Sequence, residues 1–203
     1  MSKAVMISIR PRWVSLILSG EKRLELRRTR PNANTPFKCY IYCSKGKRPW
    51  VLEGVPGIRQ DGHVVAEFIC DKITRLTHVG VSGVFRPPSL MAVKNEGRGT
   101  IEPAIDFDNG RSCLSASEVE KYLEGGDGFA WHISNLIIYD QPRKIGEFRR
   151  ICHNDLYCES CAMYYTHNGT CGKYSLQVRR PPQSWCYVEE LEENNGRQNK
   201  ATV

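Results

Sequence analysis

The sequence predicts an α+β fold: a small mixed β-barrel or roll with two or three short helices and a zinc-knuckle insertion near the C-terminus. Several short stretches have strand character and two modest stretches have helical character, which argues against a parallel, doubly wound sheet. Four cysteines fall within residues 152–171. The length of 203 residues and the apolar content of 40% suit one globular domain with an insertion.

The N-terminal quarter is predicted to run strand, helix, turn, strand, strand. Val5–Ile9 is a short apolar strand, and Pro11–Ser19 is a helix because proline is favoured at the first helical position. Gly20 can end that helix in a left-handed conformation. Arg23–Arg28 alternates leucine with charge, which predicts a strand with one apolar and one charged face. Phe37–Cys43 is predicted to be the next strand.

The later elements are less regular. His63–Ile73 is predicted to be one strand, whereas residues 80–112 show no clear period and are predicted to be a long irregular excursion. Ser115 and Glu118 form a capping-box pattern that begins a helix. Phe129–Tyr139 is predicted to be a strand, and Ser184–Glu189 a last strand.

These elements predict four segments along the chain. They are a barrel over residues 1–148, a cysteine-rich knuckle over 149–178, a return strand over 179–189 and a disordered tail over 190–203.

Positive charge is concentrated at the N-terminus. Residues 1–50 hold 12 Lys or Arg and two acids, a net charge of +10, and the rest of the chain has a net charge of −3. A concentrated basic face favours polyanions, because neutralising phosphates releases condensed counterions. A solvated face that keeps the protein in solution explains the same charge.

The cellular setting is predicted to be the cytoplasm, without a membrane partner. The apolar stretch Val14–Leu18 is too short for a secretory signal, and no segment is long enough to span a bilayer. The cysteines are then predicted to be reduced, and clustered reduced cysteines favour a metal site over disulfides.

Three charged residues near the first turn are candidates for a site. Lys22 follows Gly20, and Glu25 and Arg27 share a strand face because they are two residues apart. Together they can bind a phosphate or a polar base edge, and a desolvated Lys22 could form an acid–base pair with Glu25. Without further information a surface ion pair, worth roughly 0–1 kcal/mol, is the favoured explanation.

The segment Gly20-Glu21-Lys22-x-x-Glu25-x-Arg27 resembles the G-x-K-x-x-E-x-R signature of the ASCH domain family, a branch of the PUA-like superfamily. The strands HVVAEFICDKI and AWHISNLIIYDQP add to this resemblance, which covers roughly residues 4–148. The resemblance implies a PUA-like barrel. The segment RPPQSWCYVEE at 180–190 resembles phage and prophage members of the family that carry a cysteine-rich insertion.

The resemblance implies RNA binding in a groove beside the signature. Some family members are amidohydrolases acting on acylated nucleosides such as N4-acetylcytidine, and others are ribonucleases. Lys22 matches the lysine that activates a threonine nucleophile in the amidohydrolases, but Glu25 stands where that threonine would be. A carboxylate can activate water, but it cannot replace a hydroxyl nucleophile, so binding is favoured over catalysis. Glu67 and Glu118 are candidates for a third catalytic carboxylate by residue type alone.

A set of basic and aromatic residues is predicted to contact RNA or a nucleotide-derived ligand. Trp50, in the loop SKGKRPW, is the best candidate for stacking on a base, whereas Trp13 and Trp131 are predicted to be core residues. The predicted contact residues are Arg10, Arg12, Lys22, Glu25, Arg27, Arg28, Lys45 and Trp50.

The cysteine cluster is predicted to hold structural zinc. The thiols are Cys152, Cys158, Cys161 and Cys171, and His153 and His167 are alternative ligands. The spacing C-x2-C suits a tight knuckle around one tetrahedral ion, whose binding energy would fold a segment with little apolar content. Buried free thiols, an iron–sulfur cluster and a redox pair are the alternatives. A third hypothesis for function is that this knuckle docks a protein partner.

Overall fold

The computed structural model describes residues 3–46, 61–79, 89–95, 100–103, 109–151 and 176–191. The chain divides into two compact units. The first unit comprises Met1–Val14, Lys38–Glu67 and Ile137–Thr202, and the second comprises Ser15–Phe37 and Phe68–Leu136.

The described residues contain ten strands, two helices and one 3-10 turn. The strands are β1 Lys3–Ile9, β2 Leu24–Arg27, β3 Phe37–Cys43, β4 Val64–Cys70, β5 Ile73–Val79, β6 Ser89–Asn95, β7 Thr100–Pro103, β8 Gly128–His132, β9 Ser134–Arg143 and β10 Trp185–Glu189. The helices are α1 Pro11–Leu18 and α2 Ala116–Leu123, and the 3-10 turn is Ile145–Glu147.

The first sheet has the strand order β10-β1-β3-β4-β9. Strand β1 is parallel to β3 and antiparallel to β10, with Ile7 opposite Trp185. Its core includes Met6, Tyr40 and Phe148, all fully buried, and the rings of Tyr40 and Phe148 meet edge-on with centroids 4.9 Å apart. The other buried members of this core are Ala4, Tyr42, Val64, Val178 and Val188.

The second sheet has the order β2-β8-β5-β6-β7. One face is apolar and packs against α2, because alternate strand residues point to the same side. This core consists of Leu24, Leu26, Leu76, Leu90, Ala92, Val119, Leu123 and Ala130. The opposite face of β2 therefore presents Glu25 and Arg27.

Both helices have the ends that their sequences predict. The carbonyl of Arg10 accepts hydrogen bonds from the Val14 and Trp13 amides at the start of α1, and Gly20 has a φ of 78° just after its end. In α2 the Ser115 side chain accepts from the Glu118 amide, and the Glu118 carboxylate accepts from the Ser115 amide.

The α+β class is confirmed, and the described strands form two open five-stranded sheets where the sequence predicted one barrel. The predicted strand 63–73 is β4, Val64–Cys70, and the exposed residues Asp71 and Lys72 divide it from Ile73, where β5 of the other sheet begins. The predicted strand 129–139 is likewise divided, at Ile133. Residues 80–112 contain β6 and β7, so the prediction of an irregular excursion was wrong for residues 89–95 and 100–103. The apolar run of β6 is short, and the Gly and Pro residues on either side of it in the sequence are typical of loops, so the pattern did not predict a strand.

Within the described ranges, no helix is long and apolar enough to cross a membrane. The predicted knuckle and tail lie almost entirely outside those ranges, so both segments stay predictions.

Candidate functional site

Lys22 is held at the end of α1 with its charged group inside the protein. Its amide donates to the Leu16 carbonyl at 2.8 Å, which continues the turn that Gly20 begins. The side chain is only 2% exposed. Its Nζ donates to the Ser112 carbonyl at 2.6 Å and lies 3.5 Å from Oε2 of Glu25.

Glu25 and Arg27 complete a buried trio with Lys22. The Arg27 guanidinium lies 3.0 Å from Oε1 of Glu25, so each carboxylate oxygen faces one cation. Glu25 and Arg27 are 7% and 9% exposed. On β8 the residue opposite Glu25 is Trp131, which is fully buried and meets Phe37 edge-on with ring centroids 5.9 Å apart. The trio therefore lies beside a buried aromatic pair.

A tight loop supplies the backbone acceptors around the trio. The Arg111 carbonyl accepts from the amides of Arg23 and Leu24 at 2.8 and 3.0 Å, next to the Ser112 carbonyl that binds Lys22. This loop contains Asn109, Gly110 and Cys113, whose φ values of 44°, 76° and 57° are left-handed. Left-handed backbone is uncommon outside glycine. The loop thus turns sharply enough for two successive carbonyls to accept hydrogen bonds from residues 22–24.

The trio differs from the surface ion pair that sequence alone favours. Moving charges out of water is costly, and the cost is recovered only where geometry and hydrogen bonds are good. Here two cations surround one carboxylate, and the formal charges of Lys22, Glu25 and Arg27 sum to +1. Such an arrangement fixes the carboxylate and favours an additional anionic or polar group nearby.

Of the other predicted contact residues, Arg28 belongs to the second unit, three belong to the first unit and one lies outside the described ranges. Arg28 lies against α2, where its Nε donates to the Tyr122 carbonyl and its guanidinium pairs with Glu124 at 2.9 Å. Arg10, Arg12 and Lys45 are exposed and belong to the first unit, with the Arg12 guanidinium 4.7 Å from the Trp13 ring centroid. Trp50 lies outside the described residues. Trp131 is a core residue, as predicted.

The two candidates for a third carboxylate have partners of their own. Glu118 caps α2. Glu67, in the first unit, accepts a hydrogen bond from the Tyr139 hydroxyl at 2.5 Å and lies 3.4 Å from the Lys38 ammonium, which also pairs with Glu190 at 3.0 Å. Burial and the adjacent carboxylate raise the pKa of Tyr139. Tyr139 and Lys38 were not predicted from the sequence, because strand periodicity gives no signal for a hydrogen bond between distant residues.

The predicted zinc ligands Cys152, Cys158, Cys161 and Cys171, with the alternatives His153 and His167, lie outside the described residues. Among the residues that are described, no group of three or more His, Cys, Asp or Glu is placed to hold a metal ion. The predicted zinc site is therefore neither supported nor contradicted by the fold.

Three solved structures resemble this chain along most of its length. The crystal structure of ASCH from Zymomonas mobilis is 16% identical, with a TM-score of 0.46, and the match covers 92% of this chain and 88% of that one. The chain is similar to ASCH proteins. A tyrosine-to-phenylalanine mutant of the Zymomonas mobilis protein is 17% identical with a TM-score of 0.44, covering 93% of this chain and 92% of that one. A serine-to-alanine mutant of the same protein has the same identity and TM-score, with coverages of 92% and 89%.

All three are structures of an ASCH protein, and ASCH is also the family whose signature residues 20–27 resemble. Neither a protein-family model nor a curated protein matches the chain. The structural likeness concerns the path of the chain and carries no information on ligand or activity.

Proposed function

We propose that this chain is an ASCH-type protein that binds RNA or a nucleotide-derived ligand at the Lys22–Glu25–Arg27 trio. The observation that carries the proposal is the buried placement of two cations around one carboxylate. Charge-assisted hydrogen bonds to phosphate or to a polar base edge are stronger where water is largely excluded.

The three side chains offer complementary roles to such a ligand. Arg27 presents a planar fork of donors that suits a phosphate oxygen pair. Glu25 is an acceptor, and a carboxylate retains acceptor capacity after one contact at each oxygen, so it can accept from a base amino group. Lys22, anchored on the Ser112 carbonyl, positions Glu25. Arg10, Arg12, Arg28, Lys45 and Trp50 remain predictions as ligand contacts.

Two double variants test this function, and each removes one cation and one anion so that the net charge of the chain is unchanged. Lys22→Met with Glu25→Gln removes one buried cation and one buried anion, and the amide oxygen introduced at position 25 can still accept a hydrogen bond from Arg27. Arg143→Met with Glu147→Gln removes one of each from an exposed pair in the first unit, 3.8 Å apart. Filter-binding titration with labelled single-stranded RNA should show at least tenfold weaker binding for the first variant and a change within about threefold for the control. Equal affinities for the two folded variants would refute the proposal.

The proposed zinc site is tested separately. We propose one structural zinc ion per chain, held by Cys152, Cys158, Cys161 and Cys171, and the C-x2-C spacing supports this assignment. Elemental analysis of the purified protein should give one zinc per chain, and Cys158→Ser with Cys161→Ser should abolish it. Iron with a visible absorption band would instead indicate an iron–sulfur cluster.

A further inference from the structure

The edge strand β10 of the first unit presents two aromatic side chains on one face. Trp185 and Tyr187 alternate with Cys186 and Val188, and Val188 belongs to the core on the opposite face. The rings of Trp185 and Tyr187 meet at 73° with centroids 5.4 Å apart, and both side chains are partly exposed. The Lys3 ammonium lies 3.7 Å from the centroid of the Tyr187 ring. A cation and two aromatic rings therefore share one patch.

Basic residues are concentrated in the segments that are hydrogen-bonded to one another along this edge of the first sheet. Segments 3–12, 148–151 and 176–191 carry seven basic residues and two acidic ones. Both acids have basic neighbours: Glu189 lies 3.6 Å from Arg149, and Glu190 lies 3.0 Å from Lys38. The exposed basic residues are Lys3, Arg10, Arg12, Arg150, Arg179 and Arg180. The fold thus adds C-terminal arginines to the N-terminal basic segment, which sequence counts do not reveal.

The segment that leads into β10 is fixed against β1. The Ser8 hydroxyl donates to the Pro182 carbonyl at 2.7 Å, and the Ser8 amide donates to the Ser184 carbonyl at 2.9 Å. Two consecutive prolines stiffen this approach. Arg180 and Trp185 are therefore held at the end of β1 that continues into Arg10.

We infer that this β10 face, lined by Lys3, Trp185 and Tyr187, is a further contact surface for single-stranded RNA. Bases stack on the aromatic rings, and the surrounding arginines neutralise phosphates. Stacking on aromatic residues within a basic surface is the usual way in which proteins hold single strands with little sequence preference. The inference rests on the proposed function for its choice of RNA, but it uses different residues in a different unit.

Stacking and phosphate neutralisation respond differently to salt, which supplies the test. In titrations with a uridine decamer at two salt concentrations, Tyr187→Ala should weaken binding about 5- to 150-fold by the same factor at both. Tyr187→Phe should stay within twofold of the original protein. Arg179→Ala with Arg180→Ala should lower the slope of log affinity against log salt by about 0.7 for each phosphate that the variant no longer neutralises.

The outcomes separate this inference from the proposed function. If the trio variant weakens RNA binding but Tyr187→Ala and the arginine variant do not, the β10 surface is refuted and the proposed function stands. If the β10 variants weaken binding and the trio variant does not, the surface stands and the trio is not the site. If the unmodified protein binds no RNA at low salt, both are overturned. Should Tyr187→Ala fail to fold in a melting experiment, the exposed arginine variant decides.

Discussion

Replacing Glu25 with alanine measures how strongly the trio depends on its carboxylate. The substitution leaves Lys22 and Arg27, which are 2% and 9% exposed, without the anion between them. At the 3.0 Å separation from Arg27, the Coulomb attraction is about 5.5 kcal/mol with an effective dielectric constant of about 20. Desolvation already offsets part of that attraction, and loss of one partner from a buried pair costs about 3–5 kcal/mol. We expect Glu25→Ala to lower the free energy of unfolding by that amount.

Urea unfolding followed by circular dichroism gives this loss, and a thermal melt should show a fall in Tm of about 6–20 °C for a chain of this length. Glu124→Ala is the control, because its pair with Arg28 has the same chemistry and side chains that are 71% and 48% exposed. The control should cost about 0–1 kcal/mol. A Glu25→Ala loss no larger than that of Glu124→Ala would refute the reasoning that burial makes the trio strongly interdependent.

Three further predictions concern other parts of the fold. Hydrogen bonds from Arg75 lower the pKa of Asp127 in the folded protein. The stability that Asp127 contributes should therefore be full above its unfolded pKa near 4 and be lost as the pH falls through its folded pKa. Urea midpoints measured at pH 2–6 should fall less with decreasing pH in Asp127→Asn than in the original protein. Gly128→Ala would place its Cβ 2.6 Å from a Leu123 methyl carbon, and the resulting shift in the core should cost about 1–3 kcal/mol in urea unfolding. Burial raises the pKa of Cys43 to about 12, so iodoacetamide at pH 8, followed by peptide mass spectrometry, should modify Cys43 only in unfolded protein.

Local sequence was enough to predict several elements. The strand Phe37–Cys43 has the predicted bounds, and α2 begins at the predicted capping box of Ser115 and Glu118. Strand periodicity also placed Glu25 and Arg27 on one face. These features depend on residues that are close in the chain, where propensity and alternation act directly.

Features that depend on distant residues could not be predicted in the same way. The Ser112 carbonyl is 90 residues from Lys22, so nothing in the signature indicates that it buries the ammonium. The stretch 63–73 was predicted to be one strand, yet β4 ends at Cys70 and Ile73 begins β5 in the other sheet. Likewise, Tyr187 meets Lys3 because β10 pairs with β1, a contact between residues far apart in the chain.

The most direct measurement is the RNA affinity of the Lys22→Met, Glu25→Gln variant beside that of the Arg143→Met, Glu147→Gln variant, each at two salt concentrations. Both variants keep the net charge of the chain at +7, so any difference between them is local to the altered pair. We predict binding that is at least tenfold weaker at both salt concentrations for the Lys22 variant alone. Identical affinities in two folded variants at both salt concentrations would contradict the assignment of the trio as the ligand site.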